Sequence, residues 1–118
     1  MSAEAGFDPA ALARLDKLGG GAFVVEMIDI FFGYVPTRLA AAQAALAAGD
    51  VAGIEQAVHP LKASSGHVGA IRVHELAKQI EHLAQERHGE SLPTALQQLE
   101  AAYLEVKPFL EAARAARA

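Results

Sequence analysis

The 118 residues carry a net charge of −4, contain no cysteine and are 53% hydrophobic. Disulfides, thiol chemistry and cysteine-ligated zinc are therefore excluded, and the apolar content is sufficient for one folded domain covering residues 1–118. The basic residues form no patch, so nucleic acid is not an expected partner.

The sequence shows no targeting or membrane segment. Its N-terminus lacks the basic region and apolar core of a secretory signal. The longest apolar stretch, residues 22–35, contains Glu26 and Asp29 and is too short and too charged to span a bilayer. We expect a soluble, cytoplasmic protein that does not bind membranes.

Frequent alanine, few aromatic residues and no long β-branched run predict an all-α protein. Asp8 and Pro9 have the pattern of an N-cap and first helical residue, and begin a short helix that the glycines at 19–21 end. Apolar residues at spacings of three and four then predict a long helix over residues 22–48, ended by Gly49. Pro36 predicts a bend within it.

Three further amphipathic helices follow. Asp50 is a candidate N-cap for a helix over residues 51–67, which Gly69 ends. A second helix is predicted from Ile71 to about Arg87, with Gly89 as its end.

Ser91 and Pro93 predict the start of the last helix, and Pro108 a kink near its end. Four long helices with short connections predict an up-down-up-down four-helix bundle, with an additional short N-terminal helix at one end.

The helix over residues 51–67 has an unusual polar side. At about 100° per residue, His59 points roughly 140° away from the apolar stripe, and Lys62, Ala63 and Gly66 share its side. The stripe consists of Ile54, Val58, Leu61, Ser65 and Val68.

These residues suit phosphoryl chemistry. A neutral imidazole is nucleophilic, and Lys62 one turn later would neutralise a phosphoryl group on His59. Ala63 and Gly66 would let a second protein approach closely, although packing against a neighbouring helix explains small residues equally well.

The run from His59-x-x-Lys62 through Ser64-Ser65-Gly66 to Val68-Gly69-Ala70 resembles the signature of histidine phosphotransfer (HPt) domains, and the resemblance covers nearly the whole chain. It implies a four-helix bundle in which His59 is the phosphorylated residue and Lys62 its electrostatic partner. It also implies a polar side chain from the next helix beside the imidazole, for which Glu81 and Lys78 are the candidates.

Two positions depart from the family pattern. Ala63 replaces the glycine that commonly follows the lysine. Pro60 leaves the carbonyl of Gln56 without its usual donor, so a local distortion is expected.

The resemblance implies a carrier that accepts a phosphoryl group from the phospho-aspartate of one response-regulator receiver domain and passes it to another. The expected partners are receiver domains and a hybrid histidine kinase, with the protein itself a monomer. The chain has no glycine-rich phosphate loop, so we expect neither a kinase nor any cofactor. Transfer would be catalysed by the receivers, which makes this protein a carrier rather than an enzyme.

Two other functions stay open. The same smooth helix face would suit an adaptor that binds a receiver or kinase domain without being phosphorylated. A metal-dependent bundle enzyme would need Glu-x-x-His pairs, which the sequence lacks, so no metal site is expected. The remaining histidines are interpreted as surface residues: His67, His74, His82 and His88.

Overall fold

The computed structural model describes residues 6–118, which form four α-helices and, within that range, no β-strand. The helices are α1 (Pro9–Ala47), α2 (Val51–Val68), α3 (Ile71–Gln85) and α4 (Leu92–Ala115). A 3-10 turn, Gly89–Ser91, precedes α4.

The two N-terminal helices predicted from the sequence are parts of one interrupted helix. The non-helical backbone in α1 is confined to Gly20, whose φ of 78° lies in the left-handed region that favours glycine. Pro36 lies inside α1 and does not interrupt it.

The predicted caps of the first two helices are confirmed. The Asp8 carboxylate accepts a hydrogen bond from the Ala10 amide at 3.0 Å, and the Asp50 carboxylate accepts one from Gly53 at 2.9 Å. Gly69 ends α2 with a φ of 78°. The backbone amide of Asp8 donates to the Gly69 carbonyl at 2.8 Å, which joins the N-terminal segment to the α2–α3 turn.

The boundaries around α3 and α4 differ from those predicted. α3 ends at Gln85, and the left-handed residue that follows is Arg87 rather than Gly89. Ser91 precedes α4, but its side chain makes no capping hydrogen bond. Pro108 lies inside α4, where no non-helical residue is found.

The apolar stripes of all four helices meet in one core. Three or fewer residues connect α1 to α2 and α2 to α3, so these helices run antiparallel, and α4 packs against both α3 and α1. The N-terminal part of α1 covers one end of the bundle, because Leu12 and Leu15 are buried. The largest fully buried side chains are Phe31, Leu12, Ile28, Ile54, Leu61, Ile80, Leu92, Leu96, Leu99 and Leu110.

By length and composition, α1 is the one helix of residues 6–118 that could cross a membrane. The core helix of a soluble protein meets the same criteria. Val24, Ile28, Phe31 and Val35 of α1 are fully buried in the bundle, so one face of α1 contributes to the core.

Candidate functional site

The amphipathic pattern of α2 places His59 at the surface. All five residues of the predicted stripe are buried, whereas the His59 side chain is 67% exposed. Pro60 is accommodated without breaking the helix, so the distortion expected there does not interrupt α2. The imidazole is therefore accessible to another protein.

Glu81 on α3 links the two predicted site residues of α2. Its Oε2 lies 2.7 Å from Nδ1 of His59, and its Oε1 lies 2.7 Å from Nζ of Lys62. The Glu81 side chain is only 9% exposed, whereas that of Lys62 is 35% exposed. One buried carboxylate thus contacts both an exposed imidazole and the ammonium of a partly exposed lysine side chain.

Glu81 is ionised at neutral pH. Burial alone raises the pKa of its carboxyl, but the hydrogen bonds and charges of Lys62 and His59 outweigh burial and hold the pKa below its ordinary value of 4.5. An ionised carboxylate only accepts hydrogen bonds, so Nδ1 of His59 is the protonated nitrogen of the neutral ring. The lone pair of Nε2 is then available as a nucleophile.

A second histidine lies next to this site. Nδ1 of His74 on α3 donates to the backbone carbonyl of Lys62 at 2.7 Å. A Cβ atom at Gly66 would lie 3.4 Å from the same nitrogen, an ordinary van der Waals contact, so the His74 ring does not by itself require a glycine there. His59, Lys62, Ala63, His74 and Lys78 together line a shallow open pocket of about 340 Å³.

An apolar groove between α1 and α2 adjoins that pocket, and Ala63 lines both. The groove has a volume of about 280 Å³, and Ile30 and Tyr34 on its α1 side are 41% and 43% exposed. Its other lining residues are Met27, Pro60, Ser64 and His67.

Of the two residues proposed to lie beside the imidazole, Glu81 makes the contact. Lys78 lies one helical turn earlier and lines the pocket, but it has no ion pair with Glu81. Ala63 is exposed and projects only a methyl group beside His59. Gly66 is also exposed, and it lies beside the His74 ring.

Sequence reasoning missed the bridging role of Glu81 and the contact made by His74. Glu81 follows the buried Ala77 by four residues and is next to the buried Ile80, and so sits at the edge of the α3 apolar stripe. A carboxylate at such an edge is a signal of a buried polar contact. Its partners lie on another helix, which periodicity cannot identify.

The serines between Lys62 and Gly66 are structural. Ser64 and Ser65 are buried, and their hydroxyls donate to backbone carbonyls of the preceding turn of α2. Ser65 also contacts the Lys62 carbonyl at 3.2 Å. These bonds satisfy hydroxyl groups that face the core.

His82 and His88 lie at the far end of α3, near Glu86 and Glu90, and all four are exposed. Across residues 6–118, no group of three or more potential ligands is arranged to hold a metal ion.

Together, the fold and the site define a helical-bundle protein that presents one polarised histidine to solvent. The family model for the Hpt domain matches residues 26–115, and the chain belongs to that family. A search of curated proteins found no match.

The structure is also similar to the crystal structure of histidine-containing phosphotransfer protein B from Pseudomonas aeruginosa PAO1. The TM-score is 0.85 at 26% sequence identity, with 92% of this chain and 94% of that chain covered. The resemblance seen in the sequence and the all-α fold are both confirmed. HPt proteins are generally soluble phosphocarriers, rather than enzymes, that interact with receiver domains and kinases in two-component phosphorelays.

Proposed function

We propose that this protein carries a phosphoryl group on Nε2 of His59, which it accepts from a receiver phospho-aspartate and passes to a second receiver aspartate. The observation that carries the proposal is the contact of one buried carboxylate with both His59 and Lys62. Glu81 selects the tautomer in which Nε2 is the nucleophile, and Lys62 supplies positive charge one helical turn away.

The transfer step needs no other group of this chain. The Nε2 lone pair attacks phosphorus, the N–P bond forms, and the P–O bond to the receiver aspartate breaks to release its carboxylate. The reverse reaction to a second aspartate regenerates the neutral imidazole. Such loose transfer depends on positioning and electrostatics, and the receivers would supply the catalytic carboxylates and Mg²⁺.

Receiver domains are the proposed partners, together with a hybrid histidine kinase that contains one. The methyl group of Ala63 lets a receiver bring its aspartate pocket against His59. The adjoining apolar groove, with Ile30 and Tyr34 on one wall, would bury an apolar receiver surface. We further propose that residues 1–118 act as a single monomeric domain in the cytoplasm.

The decisive experiment incubates the protein with a phosphorylated receiver domain and measures the phosphoryl label. We expect a label that is stable in alkali and lost in acid, as phosphohistidine is. The label should be absent in His59→Gln and unchanged in His82→Gln, which removes an exposed histidine of α3 that lines neither the pocket nor the groove. A label that persists in His59→Gln would contradict the proposal.

The apolar groove also supports a second function, an adaptor that binds a receiver without phosphotransfer. Binding through the groove would be independent of the imidazole. The adaptor would be favoured if the protein takes no phosphoryl label and if receivers bind wild type and His59→Gln equally well.

A further inference from the structure

The two oxygens of Glu81 have different partners. Oε2 contacts the His59 ring, whereas Oε1 is buried and faces the ammonium of Lys62. The ammonium is the ion-pair partner of Oε1 at 2.7 Å, and no other group of residues 6–118 pairs with that oxygen. Lys62 is therefore the single group that compensates the burial of this oxygen before His59 is phosphorylated.

Phosphorylation changes the charges around Glu81. When a neutral imidazole with a proton on Nδ1 takes a phosphoryl group on Nε2, no proton leaves. The ring acquires one positive charge, and the phosphoryl group brings about two negative charges. One new cation then lies against Oε2 of Glu81, and a strong anion lies on the outer side of His59.

We propose that Lys62 exchanges partners on phosphorylation, moving from Oε1 of Glu81 to the phosphoryl group on His59. This inference rests on the proposed function. The unphosphorylated site is a carboxylate shared between an ammonium and a neutral imidazole. The phosphorylated site consists of two pairs: Lys62 with the phosphoryl oxygens, and Glu81 with the cationic ring.

The placement of Lys62 permits this exchange. It lies three residues after His59 on α2, so the two side chains are neighbours on one helix face. Its side chain is 35% exposed and flexible, and can turn outward without unfolding the helix. Glu81, at 9% exposure, cannot follow.

The exchange has a consequence for the ring. Once Lys62 leaves, Glu81 pairs with the cationic ring and acts on the proton of Nδ1. Glu81 is therefore a positioning residue for His59 and the counter-ion of the phosphorylated ring. The ring cation forms as Lys62 leaves, so the carboxylate does not lose all of its compensation.

Lys78 and His74 also line the pocket and offer a competing arrangement. In that arrangement one of them binds the phosphoryl group and Lys62 remains on Glu81. The experiment must therefore follow the Lys62 ammonium itself.

The test uses nitrogen NMR of the lysine ammonium groups in the full chain, before and after phosphorylation with phosphoramidate. The variant is Glu81→Leu, which keeps a side chain of similar size and removes both acceptor oxygens. Glu75→Gln, at an exposed position of α3, is the control for loss of a carboxylate from that helix.

In the unphosphorylated protein, Glu81→Leu should mobilise the Lys62 ammonium, whereas Glu75→Gln should leave it ordered. In the phosphorylated protein, Lys62 should be ordered with or without Glu81. The Lys78 signal should be unchanged by Glu81→Leu in both states.

A Lys62 ammonium that needs Glu81 for its order in both states would overturn the exchange. So would a phosphorylated protein in which Lys78, and not Lys62, becomes ordered. If His59 takes no phosphoryl group from phosphoramidate or from a receiver, the proposed function fails and the exchange fails with it.

If Glu81→Leu does not fold, a measurement on the phosphorylated wild-type protein can test the exchange instead. A through-hydrogen-bond coupling between Nζ of Lys62 and phosphorus supports the exchange. The absence of that coupling, with Lys62 still on Glu81, contradicts it.

Discussion

The carboxylate of Glu81 on α3 lies 2.7 Å from Nδ1 of His59 on α2, although 22 positions separate the two residues in the chain. The contact forms because α2 and α3 are antiparallel neighbours joined by the tight turn at Gly69. Glu81 therefore orients an exposed ring from a buried position.

The first prediction concerns the tautomer of His59. In Glu81→Gln the amide can present its NH₂ group to Nδ1, which would favour the tautomer whose Nε2 is protonated and not nucleophilic. Loss of a charge-assisted hydrogen bond of about 1.5–3 kcal/mol corresponds to transfer that is about 10- to 100-fold slower. Single-turnover transfer from a phosphorylated receiver measures this rate, with Glu75→Gln as the control. Equal rates in the two variants would show that Glu81 does not position the ring.

The second prediction separates the electrostatic role of Lys62 from its structural role. Lys62→Ala should slow transfer, because the ammonium no longer stabilises the phosphoryl charge. It should also lower the free energy of unfolding by about 1–3 kcal/mol, because Oε1 of Glu81 loses its partner while buried.

A double-mutant cycle distinguishes the two effects. In a Glu81→Leu background Lys62→Ala should cost little stability, since no buried oxygen remains to be compensated, while the additional loss of transfer rate should persist. Urea denaturation and transfer assays on the four proteins measure both quantities. An equal loss of stability in both backgrounds would place the structural contribution of Lys62 elsewhere.

The third prediction is a pH dependence of stability. The pKa of Glu81 is lower in the folded protein than its ordinary value of 4.5, so the unfolded chain binds the proton more tightly. The contribution of Glu81 is therefore fully present above pH 4.5 and is lost as the pH falls through the folded pKa.

The difference in unfolding free energy between wild type and Glu81→Gln measures this contribution. It should be constant at neutral pH and shrink in acid. The pKa values of Asp16 and Asp29 are also lowered, by their hydrogen bonds to Arg117 and Arg114 respectively. Their contributions to the pH dependence of stability are the same in both proteins and therefore cancel in this difference. A difference that grows in acid would contradict the assigned direction.

The fourth prediction concerns access to His59. Ala63→Trp would place a large ring where the pocket and the apolar groove meet, and should block a receiver from reaching the imidazole. Transfer from a receiver should fall at least about tenfold, consistent with the loss of a central interface contact.

Labelling by phosphoramidate, which is small, should change much less than transfer from a receiver. Ala101→Trp, at an exposed position of α4, is the matched control and should transfer normally. If Ala63→Trp slows both reactions equally, the effect lies in the chemistry of His59 and not in docking.

Helix type and most boundaries could be predicted from the sequence, because local chemistry determines them, whereas the two N-terminal helices proved to be parts of one interrupted helix. Asp8 and Asp50 cap their helices as predicted, and Gly69 takes the left-handed conformation that ends α2. The boundary of α3 was less accurate, since Arg87 adopts a positive φ that sequence patterns assign to glycine.

The reason for a glycine at position 66 could not be decided from the sequence. A glycine in an exposed helix turn is consistent with clearance for a partner and with internal packing. The ring of His74, which contacts the Lys62 carbonyl twelve positions away, lies beside Gly66, and only the structure shows that a Cβ there would meet it at ordinary van der Waals distance.

By itself, the sequence determined the all-α fold and the outward position of His59 and Lys62, because the helical period alone decides which side of α2 is apolar. Tertiary structure alone decided that Glu81, rather than Lys78, meets the imidazole, and that it also holds Lys62. The choice depends on the rotation of α3 against α2, which is set by packing of the whole core and not by any local pattern.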